Sequence, residues 1–307
     1  MTIRQHFTWP KLQEDVQKTC ERCHTCQLTK KTKKKYGKLP PKEPEADPWE
    51  ILCVDLIGPY TIERKGKKTL TLHCLTMIDP ATGWFEIVSI PDKQADTIAN
   101  LIEVTWLTRY PWPGRVQCDR GNEFMAEVKD MLKEDYGIKI KRISVRNPQA
   151  NAIIERIHQT IGNIIRTFQV HSEEINEEDP WTGILAATMF ATRATVHTTL
   201  GATPSQLVFG RDAILNAAFE ADWGLIKQRK KELIAKNNER ENSKRIDYQY
   251  AIGEKVLLKE GLNTKYGGNP YSGPYKITRV NDNGTLRIKK GAKYDTINIR
   301  NAHPYKE

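Results

Sequence analysis

Apolar positions between residues 49 and 144 come in short blocks separated by turn chemistry, and their period changes along the chain. Residues 51–60, 69–79 and 84–90 are rich in β-branched, aromatic and other apolar side chains and read as three strands, with Asp79-Pro80-Ala81-Thr82-Gly83 as the last turn. The period then lengthens. Ile98, Leu101, Ile102 and Trp106 share one helical face over 94–110, and Pro111-Trp112-Pro113-Gly114 ends that helix. A short strand at 116–118, a helix at 124–136 closing at Gly137, and an alternating strand at 138–144 follow. Three hairpin-linked strands, then helix, strand, helix and strand, predict one mixed α/β sheet. Beyond Pro148, the residues Ile154, Ile157, Ile161, Ile164, Ile165 and Phe168 recur near 3.6, and 181–197 and 203–209 read as amphipathic helices. Residues 225–247 are dense in Lys, Arg, Glu and Asn with sparse apolar sites, which predicts a solvent-exposed linking helix. The pattern ends strand-like, at 254–259, 275–280, 285–289 and 294–299. Asn283-Gly284 is a hairpin signal, and a small all-β barrel is expected.

Three acids interrupt this pattern. Asp55 stands inside Ile51-Leu52-Cys53-Val54-Asp55-Leu56-Ile57, where a buried carboxylate costs several kcal/mol unless something compensates it. A cation is one compensation; an arginine partner is another. Asp119 follows the strand at 116–118, at the C-terminal edge where α/β sheets commonly place ligands, although Asp119-Arg120-Gly121-Asn122 also reads as a plain turn. Glu155 lies at the edge of the apolar stripe on a face shared with Asn151, His158, Gln159 and Gly162; alone, it also fits a first-turn acid complementing the helix dipole. Several acids converging on one point would make a metal site.

In order and spacing, Asp55, Asp119 and Glu155, the last two separated by thirty-five residues, resemble the D,D-35-E signature of retroviral-type integrases. The flanking words agree: Val54-Asp55-Leu56-Ile57-Gly58-Pro59, Asp119-Arg120-Gly121-Asn122-Glu123-Phe124, and Asn147-Pro148-Gln149-Ala150-Asn151 leading into Glu155-Arg156. Thr203-Pro204-Ser205-Gln206-Leu207-Val208-Phe209-Gly210, Gly273-Pro274-Tyr275 and His303-Pro304-Tyr305 also match family segments. The likeness is to integrases of gypsy-type LTR retrotransposons and runs from about Phe7 to the end. It implies an RNase H-like core whose first and fourth strands are neighbours, bringing Asp55 beside Asp119. It implies two Mg²⁺ (or Mn²⁺) ions held by Asp55, Asp119 and Glu155, and contacts from Gln149 and Asn151 to a DNA end. Capping of the helix is the alternative role for Asn151.

The net charge of +10 is unevenly spread. Residues 1–42 hold 11 Lys+Arg against 3 Asp+Glu, residues 43–224 hold 18 against 26, and residues 225–307 hold 19 against 9. Two basic arms around an acidic middle suit a polyanion gripped at both ends, with Lys33, Lys34, Lys35, Lys289 and Lys290 as phosphate contacts. The run at 30–35 also reads as a nuclear-import signal. An SH3-like barrel that binds proline-rich peptide is the competing view of the C-terminal region, and the basic charge argues against it.

Cys53, Cys74 and Cys118 fall in predicted strands and read as small buried hydrophobes. Cys20, Cys23 and Cys26 are spaced for metal. The resemblance matches Cys23-His24-Thr25-Cys26-Gln27 to the end of the family's two-histidine, two-cysteine zinc domain and Phe7-Thr8-Trp9-Pro10 to its aromatic-Trp-Pro step. The histidine pair would then lie upstream of Trp9, so the expectation is a truncated copy in which Cys23 and Cys26 hold Zn²⁺ only if the domain were complete. Residues 28–48, lysine- and proline-rich with few apolar positions, are expected to be an extended linker and not a packed element.

The reading is thus a multidomain α+β chain. Its expected parts are a partial N-terminal zinc-type helical segment (1–27), a basic linker (28–48), a central RNase H-like mixed α/β domain (49–210), a linking helix region (211–250) and a C-terminal SH3-like β-barrel (251–307). No apolar stretch is long enough to span a membrane, and the polar first thirty residues lack a secretory signal, so a soluble intracellular chain is expected. The resemblance implies an integrase: a metal-dependent polynucleotidyl transferase and endonuclease that trims 3′ ends of element DNA and joins them to target DNA. It also implies double-stranded DNA as partner, action as a homo-oligomer, and a nuclear location after cytoplasmic assembly. Two rivals are a related transposase or RNase H-type nuclease, and a non-catalytic DNA- or chromatin-binding protein derived from an integrase.

Overall fold

The computed structural model describes residues 2–41, 47–64, 67–118, 127–142, 158–159, 161–163, 166–167, 180–260 and 268–307. The chain divides into two compact units, one formed by residues 43–234 and the other by residues 1–42 together with 235–307.

The first unit is built on a five-stranded sheet, β1 (Ile51–Arg64), β2 (Lys67–Ile78), β3 (Phe85–Ile90), β4 (Arg115–Cys118) and β5 (Lys139–Arg142), in the order β3-β2-β1-β4-β5. The hairpin strands β1, β2 and β3 pair antiparallel, whereas β1–β4 and β4–β5 are parallel, so the sheet is mixed as the element order demands. Pleating sends alternate residues to opposite faces. Leu52, Val54, Leu75, Met77, Val116 and Cys118 pack with Ile98, Ile102 and Trp106 of the helix Ala95–Ile102 and its wider continuation Glu103–Leu107. Ile51, Cys53, Ile57, Cys74 and Ile78 pack instead with Ile161 and with Trp181, Ile184 and Leu185 of the helix Pro180–Ala194. The three strand cysteines are buried, as their surroundings predict.

One buried acid here has a structural partner set. Glu86 on β3, whose side chain is 3% exposed, pairs with Arg193 at 2.6 Å and accepts from the Tyr110 hydroxyl. Arg193 also donates to the Phe85 carbonyl and lies over the Trp84 ring, 4.1 Å from its centroid. The helix Pro204–Phe209 opens with a capping box, Thr203 and Gln206 exchanging hydrogen bonds, and stops at Gly210 in the left-handed region.

The second unit holds an antiparallel five-stranded sheet of the SH3-like kind: β6 (Lys255–Lys259), β7 (Tyr271–Asn281), β8 (Thr285–Lys290), β9 (Lys293–Asn298) and β10 (Ala302–Pro304), in the order β10-β6-β7-β8-β9. The Asn283-Gly284 signal lies at the β7–β8 turn, with Asn283 Oδ1 accepting from the Thr285 amide and hydroxyl. β10, only three residues long and ending in proline, carries no periodic signal.

The basic segment expected to be an unpacked linker is tied down at its far end. Leu39, 6% exposed, joins the core formed by Val256, Leu258, Ile277, Leu286 and Ile288. Its amide and carbonyl exchange hydrogen bonds with the Asn242 side chain at 2.8 and 3.0 Å. Buried Arg245 donates to the carbonyls of Tyr36 and Gly37. Gly284 serves both turn and strap: its φ is +72°, and a Cβ there would stand 2.7 Å from Pro40. Low apolar content hid this packing, because one leucine and a row of backbone hydrogen bonds do the fastening.

Candidate active site

Asp55 occupies a polar gap in an apolar sheet face. Along β1 it alternates with Ile51, Cys53 and Ile57, and across the ladder it is set opposite Thr76, which alternates with Cys74 and Ile78 on β2. The face of these residues is the one covered by Ile161 and Trp181, so two polar side chains stand side by side within an otherwise apolar row. Asp55 is half-buried, and its Oδ1 accepts from the Leu56 amide at 2.9 Å. The parallel pairing of β1 with β4 sets Ile51 against Arg115, Leu52 against Val116 and Cys53 against Gln117. β4 ends at Cys118.

Asp119 is the next residue in the sequence, and it lies outside the described residues, as do Gln149, Asn151 and Glu155. Three positions beyond Glu155, His158 is described. Its Nε2 lies 3.0 Å from Thr76 Oγ1, and Thr76 donates to the Asp55 carbonyl at 2.9 Å. Burial lowers the imidazole pKa from its ordinary value to about 4, so His158 is neutral at physiological pH. Thr76 drew no attention as a threonine in a strand, where it is ordinary. The available signal was its place opposite an acid in an apolar run.

The proposed phosphate contacts all belong to the second unit. Lys33, Lys34, Lys35, Lys289 and Lys290 are exposed there. Cross-strand pairs put like charges opposite one another, Lys276 against Lys289, Arg279 against Arg287 and Lys290 against Lys293. Such pairs are destabilising in the free protein. Aromatic rings soften two of them, Arg287 lying over Tyr294 and Lys290 over Tyr275. The first basic arm and residues 235–307 of the second belong to one body: residues 1–42 hold 11 Lys+Arg against 3 Asp+Glu and residues 235–307 hold 15 against 8, a net +15.

Cys23 begins the helix His24–Thr29 and lies close to Cys26, whose backbone and side-chain hydrogen bonds lower the Cys23 thiol pKa. His24 instead approaches the Tyr305 hydroxyl at 3.3 Å, and the Gln27 side chain bonds both the amide and carbonyl of Lys306. Cys20 is exposed. Among the described residues, no group of three or more His, Cys, Asp or Glu side chains is arranged to hold a metal ion. Among them too, no helix is long and apolar enough to cross a membrane.

Comparison with known proteins returns a likeness to integrases. The integrase zinc binding domain family matches residues 1–32. The chain is 25% identical over 312 aligned positions, covering 93% of its length, to the retrovirus-related Pol polyprotein from transposon 412 of Drosophila melanogaster, of which it spans 24%. It is 23% identical over 230 positions to the Pro-Pol polyprotein of feline foamy virus, covering 73% of this chain and 18% of that one. It thus spans about a quarter or less of these relatives' length. Among solved structures, the simian T-cell lymphotropic virus intasome in complex with PP2A regulatory subunit B56 gamma contains a chain with the same fold, at TM-score 0.63 and 12% identity over 99% of this chain and 93% of that one. The particular likeness is to a retroviral-type integrase of an LTR retrotransposon.

Proposed function

We propose that this chain is a DNA-joining polynucleotidyl transferase that trims the 3′ ends of retroelement DNA and joins them to target DNA. The observation that carries the reading is the carboxylate of Asp55, set in an apolar sheet face on the strand beside β4. By the resemblance of their motifs, Asp119, the residue after β4, and Glu155 would join it in one site.

Asp55, Asp119 and Glu155 would hold two Mg²⁺ or Mn²⁺ ions. An all-carboxylate donor set suits hard cations. Bound there, such ions supply polarisation of the attacking oxygen and charge stabilisation of the leaving oxygen in an in-line displacement. The chain's own work is to bring the three carboxylates together and to hold the duplex. The +15 body supports that second role: its like-charge strand pairs gain a partner when phosphates lie across them. Gln149 and Asn151 are proposed to touch the DNA end, and the working form is a homo-oligomer on paired ends in the nucleus. Cys23 and Cys26 are proposed as two ligands of a zinc site only where a histidine pair completes it.

The test is a joining assay with labelled duplexes ending in the element's own termini and a plasmid target. Products that need Mg²⁺ or Mn²⁺ and disappear with chelator are expected. Tight duplex binding with neither trimming nor joining in either metal would favour a non-catalytic DNA-binding protein.

A further inference from the structure

We infer that Arg115, Lys139 and Lys141 form a phosphate shelf on the sheet face that carries Asp55, and that it grips the DNA strand beside the phosphate presented to Asp55. The inference rests on the reading of Asp55 as an active-site residue, and it adds a DNA contact on the first unit.

Register divides this face into two halves. Pairing sets Ile51 beside Arg115 and Lys139, and Cys53 beside Gln117 and Lys141, so all of these side chains leave the sheet on one side. The intervening Leu52, Val116 and Ile140 belong to the opposite face, with Ile98 and Trp106. On the Asp55 side, the half built by β1, β2 and β3 is mostly apolar and packs with Trp181, Ile184 and Leu185. The half built by β4 and β5 bears Arg115, Gln117, Lys139 and Lys141, of which both lysines are exposed and Arg115 is half-buried. Three cations and an amide cannot build a core, so this half suits water or a polar partner.

The shelf is costly in the free protein. Arg115 and Lys139 are paired across the parallel ladder, and Lys141 follows on the same face about 7 Å further along β5. Like charges so placed repel. Among the described residues, none of the three is paired with a carboxylate, and Arg115 Nε is buried without an acceptor. Glu50, whose carbonyl accepts from the Arg115 amide, turns its own carboxylate to the Asp47 amide. Lysines on an edge strand also deter pairing between chains, and β5 is an edge. That explanation does not reach Arg115, because β4 has a strand on each side. A row of cations without acid partners is the complement of a phosphate backbone.

Placement selects the phosphates. Lys141 stands two strands across and two residues along from Asp55, roughly 12 Å between backbones at strand spacings of about 5 Å and a rise of about 3.3 Å per residue. A DNA strand whose reacting phosphate lies at Asp55 therefore brings a neighbouring phosphate within reach of the lysine side chain.

The experiment uses the full chain and duplexes with the element's own termini, in which methylphosphonates neutralise one phosphate at a time. Lys139→Gln with Lys141→Gln should flatten the slope of log affinity against log salt by about 1.8, at roughly 0.9 for each of two phosphates released. Lys129→Gln with Lys133→Gln removes the same charge from the helix layer on the opposite face and should leave the slope unchanged. A methylphosphonate next to the joined phosphate should weaken binding and joining by the parent several-fold, and should cost the shelf variant nothing further. The thermal midpoint of the shelf variant should hold or rise, since repulsion is removed. An unchanged slope, an equal flattening by the control pair, or the same methylphosphonate profile in parent and variant would overturn the shelf and leave the lysines as guards of an edge strand. A parent that binds duplex but joins nothing in Mg²⁺ or Mn²⁺ would refute the joining reading instead. The shelf is then judged on affinity alone, and it falls if slope and methylphosphonate profile match the parent's.

Discussion

Leu39→Ala tests whether the basic segment and the SH3-like sheet form one body. Leu39 is 6% exposed, and its side chain is part of the core between β6, β7 and β8. Truncation loses the transfer free energy of the removed methyl and methylene groups and leaves a cavity, which for buried leucines costs about 2–5 kcal/mol. The strap lies at the margin of the core and the Asn242 bonds to its backbone survive the change, so a value of about 2–4 kcal/mol is expected. Hydrogen exchange read by mass spectrometry resolves the two units in the intact chain. At 1.4 kcal/mol per tenfold, the slowest amides of β7 and β8 should exchange roughly 30- to 1,000-fold faster, while those of β1 and β2 keep their rates. Leu39→Met, nearly volume-conserving, should cost less than about 1.5 kcal/mol. Unchanged exchange in β7 and β8 for Leu39→Ala would refute the packing argument and return the segment to an independent linker.

Three further outcomes follow from the same structure. Reversing charge at the exposed pair, Lys289→Glu with Lys290→Glu, should weaken duplex binding and flatten the dependence of log affinity on log salt by roughly 0.9 for each phosphate no longer neutralised; an unchanged slope would move the DNA grip elsewhere. Glu86→Gln removes the charge facing Arg193 while Arg193 keeps the Phe85 carbonyl, so a loss of about 2–4 kcal/mol in the stability of the first unit is expected in chemical denaturation. The His158 pKa is lowered to about 4 in the folded chain against 6.5 in the unfolded one, so between those values the unfolded state binds more protons. Stability of the first unit should therefore be flat above about pH 6.5 and fall toward pH 4 by about 1–2 kcal/mol, the half-buried ring tempering the full shift, and His158→Asn should remove that slope.

Much of this was legible in the sequence because it rests on local chemistry. Turn residues and alternation mark β1 to β4, Asn283-Gly284 marks the β7–β8 hairpin, and the apolar neighbours of Cys53, Cys74 and Cys118 foretell their burial. Asp55 stood out for the same reason, a charge where the pattern asks for an apolar side chain. Long-range pairings left no such trace. Leu39 is one leucine in a lysine-rich run, and nothing near it announces that Asn242 and Arg245, some two hundred residues on, will bind its backbone and its neighbours'. Charge counts along the chain gave two basic arms, but only the fold brings the first arm and residues 235–307 of the second into one basic body. Thr76 and His158 are ordinary residues in a strand and a helix; their meaning comes from the antiparallel register that sets Thr76 opposite Asp55.

The integrase reading stands or falls on Asp119→Asn in the joining assay, measured beside duplex affinity. The amide keeps the side-chain shape and removes the charge expected to hold a divalent ion. Metal stabilisation of the transition state is worth several kcal/mol, so joining and 3′ trimming should fall roughly a thousandfold or more while duplex affinity holds or rises slightly. Glu123→Gln, in the same motif word, should cost far less. A Mg²⁺-dependent joining activity that Asp119→Asn leaves within a few-fold of the parent would contradict a metal site built on these carboxylates.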